Sequence, residues 1–178
     1  MIKRLKEILV MDNGFVRFYN DKVLFGDGSE GDYARMSFSS KGKPFGISVV
    51  CEFEGGIVLQ DSYRYAPQET MVEIVKGMGM DGKTALETAR IEIKEEIGGE
   101  IESIESLGII QPDMADFKIH CFVAKIKELG ATQHEKTESI SNIRVKSIDE
   151  VFDMVVKDEI KDELTLGILF KYIAFKKK

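Results

Sequence analysis

The chain has 178 residues, 43% of them hydrophobic and 31% charged, with a formal net charge of −6. That length suits one compact domain with a small appended lobe, and the acidic balance argues against a nucleic-acid-binding face, so an anionic substrate would need a local cation. No apolar run approaches the ~20 residues of a membrane helix, and charges interrupt the N-terminal MIKRLKEILVMDNG where a signal peptide needs a continuous apolar block. A cytoplasmic protein with no membrane partner is expected.

Strand-like alternation fills most of the first 80 residues, and helical periodicity is clear only at 84–97, 148–157 and 162–176, which predicts an α+β protein. The first predicted strands are 14–19 and 22–25, with Asn20-Asp21 as a two-residue hairpin turn, followed by 32–39. A loop at 41–44 then closes an N-terminal strand lobe, residues 1–43, ahead of a main domain, residues 44–178. Strands 46–53 and 57–65 flank Glu54-Gly55-Gly56 as a second hairpin, and later strands are expected at 71–75, 101–110, 118–125 and 143–145. Cys51 and Cys121 lie inside apolar alternating segments, which favours buried thiols over a disulfide or a metal site.

The most informative stretch is 73–99, EIVKGMGMDGKTALETARIEIKEEIGG, a strand, a glycine-rich loop and a helix. Gly77 to Thr84 spells G-x-x-x-x-G-K-T, the pattern of a phosphate-cradling P-loop, in which Lys83 would reach the terminal phosphates and Thr84 would hold magnesium. Its context is wrong for that role. A P-loop belongs to an early strand of a parallel sheet, whereas about 70 residues of hairpin pattern precede this one.

The helix offers a second reading. Leu86, Ala89, Ile93 and Ile97 define an apolar stripe, while Glu92, Glu95 and Glu96 stand at i, i+3 and i+4 and bring three carboxylates to one side. Like charges so placed cost a helix a few tenths of a kcal/mol per pair. A magnesium or manganese ion would reverse that cost, since hard cations prefer oxygen ligands. The plain alternative is a solvated acidic face with Arg90 and Lys94 beside it.

The stretch resembles the Nudix box, G-x5-E-x7-R-E-U-x-E-E-x-G-U with U aliphatic: Gly77, Glu92, Ile93, Glu95, Glu96 and Gly98 fall in register. Lys83, Ile91 and Gly99 depart from it. Beyond the box, QDSYRY (60–65), MVEIVKG (71–77), GIIQPDMADFKIHCFVA (108–124), EKTESI (135–140) and the 147–166 segment with Asp162 and Thr165 are similar to the ADP-ribose pyrophosphatase-like branch of that superfamily. The resemblance implies a mixed β-sheet sandwiched between helices, with the N-terminal antiparallel lobe pairing two chains as a homodimer. It also implies hydrolysis of the pyrophosphate linkage in a nucleoside diphosphate derivative, ADP-ribose foremost, to AMP and a sugar phosphate. Magnesium would be the cofactor, with manganese able to substitute. Glu92, Glu95, Glu96 and the backbone carbonyl of Lys76 would hold the metal; Arg64, Glu73 and Gly77 would contact substrate; Glu138, with Glu95, would be catalytic. The Lys83 and Ile91 departures leave open a Nudix domain that binds a nucleotide with weak turnover.

Overall fold

A computed structural model describes residues 1–38, 44–134 and 139–177. It divides into two compact units, Met1–Phe45 with Gln111–Lys118, and Gly46–Ile110 with Ile119–Lys178.

The first unit is built on four strands, β1 (Lys3–Lys6), β2 (Leu9–Asp12), β3 (Val16–Leu24) and β4 (Glu30–Phe38). β1 and β2 follow one another along one edge of β3, and β4 pairs antiparallel along the other. The expected turn at Asn20-Asp21 is absent: both residues lie within β3, opposite Ala34 and Tyr33. Asn and Asp signal turns because their side chains bond the local backbone. Here Asp21 is 3% exposed and finds distant partners instead, accepting from the Ile8 amide at 3.1 Å and from Arg35 Nε at 2.7 Å. The reversal comes later. Asp27 accepts from the amide and hydroxyl of Ser29, and Gly28 takes a φ of +88°. Arg35 stacks over the Tyr19 ring at 3.8 Å, so these strand residues are engaged with one another. Segment 111–118 is held in the same unit by Met36, whose amide donates to Met114 and whose carbonyl accepts from Asp116.

The second unit carries β5 (Phe45–Phe53), β6 (Gly56–Arg64), β7 (Glu69–Glu73), β8 (Val75–Met78), α1 (Ala85–Ile97), β9 (Gly99–Ile110), β10 (Lys118–Leu129), β11 (Ile140–Lys146), α2 (Ile148–Val156) and α3 (Glu163–Lys176). Its sheet runs β11-β6-β5-β10-β9. β5 and β6 are the most deeply buried strands, with Val49, Val50, Cys51 and Leu59 fully enclosed, as expected of central strands whose both faces are covered. Both cysteines are buried free thiols, in agreement with their sequence context.

The feature that positions the site is a fork. β5 and β6 pair only beside their hairpin, at Glu52↔Ile57 and Phe53↔Gly56, and then take different partners. β6 pairs with β7 (Gln60↔Glu73 to Arg64↔Glu69), and β5 pairs with β8 (Gly46↔Met78 to Val49↔Val75). The chain crosses from one to the other at Ile74, which has no exposed surface. α1 packs on β8 and β9, α2 on β6, and α3 on β9.

Candidate active site

Helix α1 is anchored at both ends by its own sequence. Thr84 is the N-cap: its hydroxyl accepts from the Glu87 amide while Glu87 returns to the Thr84 amide, a reciprocal capping box. Gly98 ends the helix with φ +64°, and a Cβ there would collide with the carbonyl of Gly130. This geometry contradicts the P-loop reading. Gly77 lies in a strand paired antiparallel with β5, Thr84 is occupied as a cap, and Lys83 is exposed.

The faces of α1 differ from the simple expectation of an apolar stripe opposite a wet acidic one. Ala89, Ile93 and Ile97 are buried as predicted, but Leu86 is 41% exposed. Glu92 and Glu96 are 7% and 3% exposed, whereas Arg90 and Lys94 face solvent. The solvated-face alternative is therefore overturned for these two glutamates; Glu95 is half-buried beside them. Burying a carboxylate is costly unless its charge is met by partners.

For Glu96 those partners come from the fork. Gln60 Nε2 donates to Glu96 Oε2 at 2.8 Å, and the Lys76 backbone amide approaches the same oxygen at 3.3 Å. Gly77 lies against them: a Cβ at this position would overlap the Glu92 carboxylate, so any side chain here would force Glu92 to move. At the C-terminal end of α1, the Glu95 carbonyl accepts from the Gln133 amide at 2.8 Å, and the Glu96 carbonyl lies 2.9 Å from His134 Nε2.

A second cluster lies along β6 and β7. Glu73 is fully buried and is gripped by Arg64, with Nε at 2.9 and 3.1 Å from its two oxygens and Nη2 at 2.5 Å. Lys76 Nζ lies 3.1 Å from Glu73 and 2.9 Å from Asp162, whose carboxylate also accepts from the Thr165 amide as the N-cap of α3. The bond to Glu73 holds the Arg64 guanidinium above its ordinary pKa. Burial pushes the Asp162 carboxyl up, but Lys76 and Thr165 outweigh it and leave the group below its usual range. Asp61, the other acid near Arg64 in sequence, is taken by Arg144 at 2.7 Å.

Of the residues expected from sequence, Arg64, Glu73, Lys76, Gly77, Glu92, Glu95 and Glu96 all belong to the second unit, on β6, the β7–β8 crossing and α1. Glu138 lies outside the described residues; of its described neighbours, Ser139 accepts from the Tyr63 amide at 3.0 Å. Sequence reasoning missed the ammonium of Lys76, which was considered only for its carbonyl, and the contacts of Gln60 and His134 with Glu96. Lys83 is exposed and Ile91 half-buried. The helix start is secured by the Thr84–Glu87 box.

Among the described residues, no three His, Cys, Asp or Glu side chains form a ready-made cation cage. The donor set nonetheless suits a hard divalent ion in kind: two nearly buried carboxylates one helical turn apart, a third beside them, and a backbone that approaches closely only because residue 77 is glycine.

The NUDIX domain family model matches residues 42–164, and the chain belongs to that family. Over 117 residues it is 32% identical to a methanol dehydrogenase activator of Bacillus methanolicus, a match spanning 64% of this chain and 63% of that protein. Its fold is that of a solved structure described as an ADP compounds hydrolase, with a TM-score of 0.83 over 99% of this chain and 94% of the other at 17% identity. The α+β architecture expected from the sequence resemblance is thus the one observed.

Proposed function

We propose that the protein is a divalent-cation-dependent hydrolase that cleaves the pyrophosphate linkage of a nucleoside diphosphate derivative, ADP-ribose first among them, giving AMP and a sugar phosphate. The observation carrying this reading is the burial of Glu92 and Glu96 against Gly77, a position where a side chain would overlap the Glu92 carboxylate. The name of the structural neighbour, an ADP compounds hydrolase, points the same way.

In this reading Glu92, Glu96 and Glu95, with the Lys76 carbonyl, hold magnesium or manganese. The ion, when bound, supplies charge neutralisation on diphosphate oxygens. The chain's own residues do the positioning. Gln60 and the Lys76 amide fix one oxygen of Glu96, and so its rotamer. Arg64, clamped on Glu73 yet with a side chain 44% exposed, forks onto diphosphate oxygens. Gly77 leaves the backbone open to close approach. Glu138 takes a proton from the attacking water, with Glu95 assisting. Phosphoryl chemistry of this kind depends on placement and electrostatics rather than on a covalent nucleophile.

Glu96→Gln tests the reading. Magnesium-dependent release of AMP from ADP-ribose should fall at least about a hundredfold, while the circular dichroism spectrum and melting curve persist. Equal activity in the variant would refute it. A second reading, a nucleotide-binding Nudix domain with weak turnover, is favoured by the exposed Lys83 and the apolar Ile91 at box positions where an ion pair is usual. Saturable binding of ADP-ribose without AMP release under either metal would select it.

The protein is also proposed to be a cytoplasmic homodimer. No described helix is long and apolar enough to cross a membrane. The N-terminal strands expose Leu5, Leu9, Val10, Met11 and Phe18, each at least 40% accessible. Exposed apolar strand residues of this kind suit a self-complementary interface. Sedimentation at the monomer mass over the micromolar range would rule the dimer out.

A further inference from the structure

If Arg64 grips the diphosphate, as proposed above, its guanidinium is shared between substrate and Glu73. What governs that sharing is visible around Glu73. The carboxylate has no exposed surface and takes two cations, Arg64 through Nε and Nη2 and Lys76 through Nζ at 3.1 Å. Lys76 is itself divided: its ammonium lies 2.9 Å from Asp162, 86 residues further along the chain. The result is a row of alternating charge, Arg64, Glu73, Lys76, Asp162, with two charges of each sign. Glu73, Lys76 and Asp162 are enclosed, with side chains 0%, 13% and 14% exposed, while that of Arg64 is 44% exposed. Only the guanidinium at the end of the row offers substantial surface to a ligand.

An alternating row couples its ends. A cation drawn toward Asp162 is held less by Glu73, and Glu73 then holds Arg64 more firmly. We propose that Lys76 and Asp162 are positioning residues of opposite effect that set how tightly Glu73 retains Arg64, and so how much of the guanidinium an anionic diphosphate can engage. Removing the Lys76 charge leaves two carboxylates facing one guanidinium, and both the retention of Arg64 and the local negative potential oppose an anion. Removing the Asp162 charge gives Lys76 wholly to Glu73, releases Arg64 and leaves the row with net positive charge. Asn is nearly as good an N-cap as Asp, so Asp162→Asn keeps the start of α3 while deleting the charge.

The two single variants therefore predict shifts of opposite sign, which a purely structural role would not produce. The measurement is calorimetric titration of ADP with magnesium into the intact chain, with melting curves as the folding control. Arg64→Ala should weaken ADP binding by about tenfold or more. Lys76→Met should weaken it by about five- to tenfold, Asp162→Asn should tighten it by roughly two- to fivefold, and Lys76→Arg should lie near the native value. If Lys76→Met does not fold, Lys76→Gln replaces it, and the direction of the Asp162→Asn shift still decides. Shifts in the same direction, or none from either variant while Arg64→Ala weakens binding, overturn the coupling alone. Native-strength binding by Arg64→Ala, or no ADP binding by the native chain, overturns the role of Arg64 and the coupling with it.

Discussion

Two regions of the second unit treat acidic residues in opposite ways. On the β9–β10 ribbon, Glu102 and Glu100 pair across the strands with Lys125 and Lys127, each at 3.0 Å, and all four side chains are more than half exposed. At the fork of β5 and β6, Glu73, Glu92 and Glu96 are almost entirely enclosed. Water already solvates the first set, so its ion pairs add little to stability. The second set gives up hydration and is held by Arg64, Lys76, Gln60 and the backbone of β8. Charge is decoration on the ribbon and architecture at the fork, and enclosure separates the two more surely than pairing distance does.

The sharpest way to break this comparison is Glu73→Ala, which leaves the enclosed Lys76 ammonium to Asp162 alone and frees the half-exposed Arg64. It should cost about 3 kcal/mol in chemical denaturation, the low end for breaking a buried pair because Arg64 keeps access to water and Lys76 keeps one partner; a loss no larger than that of a surface variant would place Glu73 with the ribbon pairs. Gly77→Ala comes next. The new methyl group must displace the Glu92 carboxylate, at a cost of about 1–3 kcal/mol, and metal-dependent turnover should fall with it. Unchanged turnover would mean that Glu92 tolerates a new rotamer.

A smaller effect separates the regions by pH. Because the folded-state pKa of Asp162 is depressed below the ordinary carboxylate value, its stabilising contribution is complete above the unfolded pKa near 3.8 and is lost as pH falls through the folded value. The stability gap between native chain and Asp162→Asn should therefore be open at neutral pH and close progressively below about pH 4. A gap of constant size across that range would show that the ion pair contributes nothing. Smallest of all is Glu102→Gln, for which the denaturation midpoint should stay within experimental error of the native chain.

Much of this arrangement could be read from the amino-acid order. The glutamates and Gly77 fall in one motif, and the apolar spacing of Ala89, Ile93 and Ile97 fixes which way the helix turns. The central strands announce themselves because Val49, Val50, Cys51 and Leu59 need enclosure. β1 and β2 gave no such signal: every residue in them is exposed, so no alternation between inside and outside was available. The continuous β3 was hidden for a different reason, since the partners of Asp21, Ile8 and Arg35, are 13 and 14 residues away and outweigh a local turn preference. Lys76 and Asp162 illustrate the same limit over a longer span. Nothing near either residue marks the other as its counter-ion until the α3 cap is brought to the crossing between β7 and β8.

The reciprocal cap at Thr84 also determines which changes of length the chain can absorb. Residues 81–84 are exposed and precede the first helical turn, so a residue gained or lost between Met80 and Lys83 is taken up before the screw begins. The same indel after Ala85 would rotate everything downstream by about 100° and swing Glu92 and Glu96 away from the strand that receives them. Engineered changes of length should therefore be tolerated better on the near side of that threonine than beyond it, where the count that seats Glu92 and Glu96 is strict.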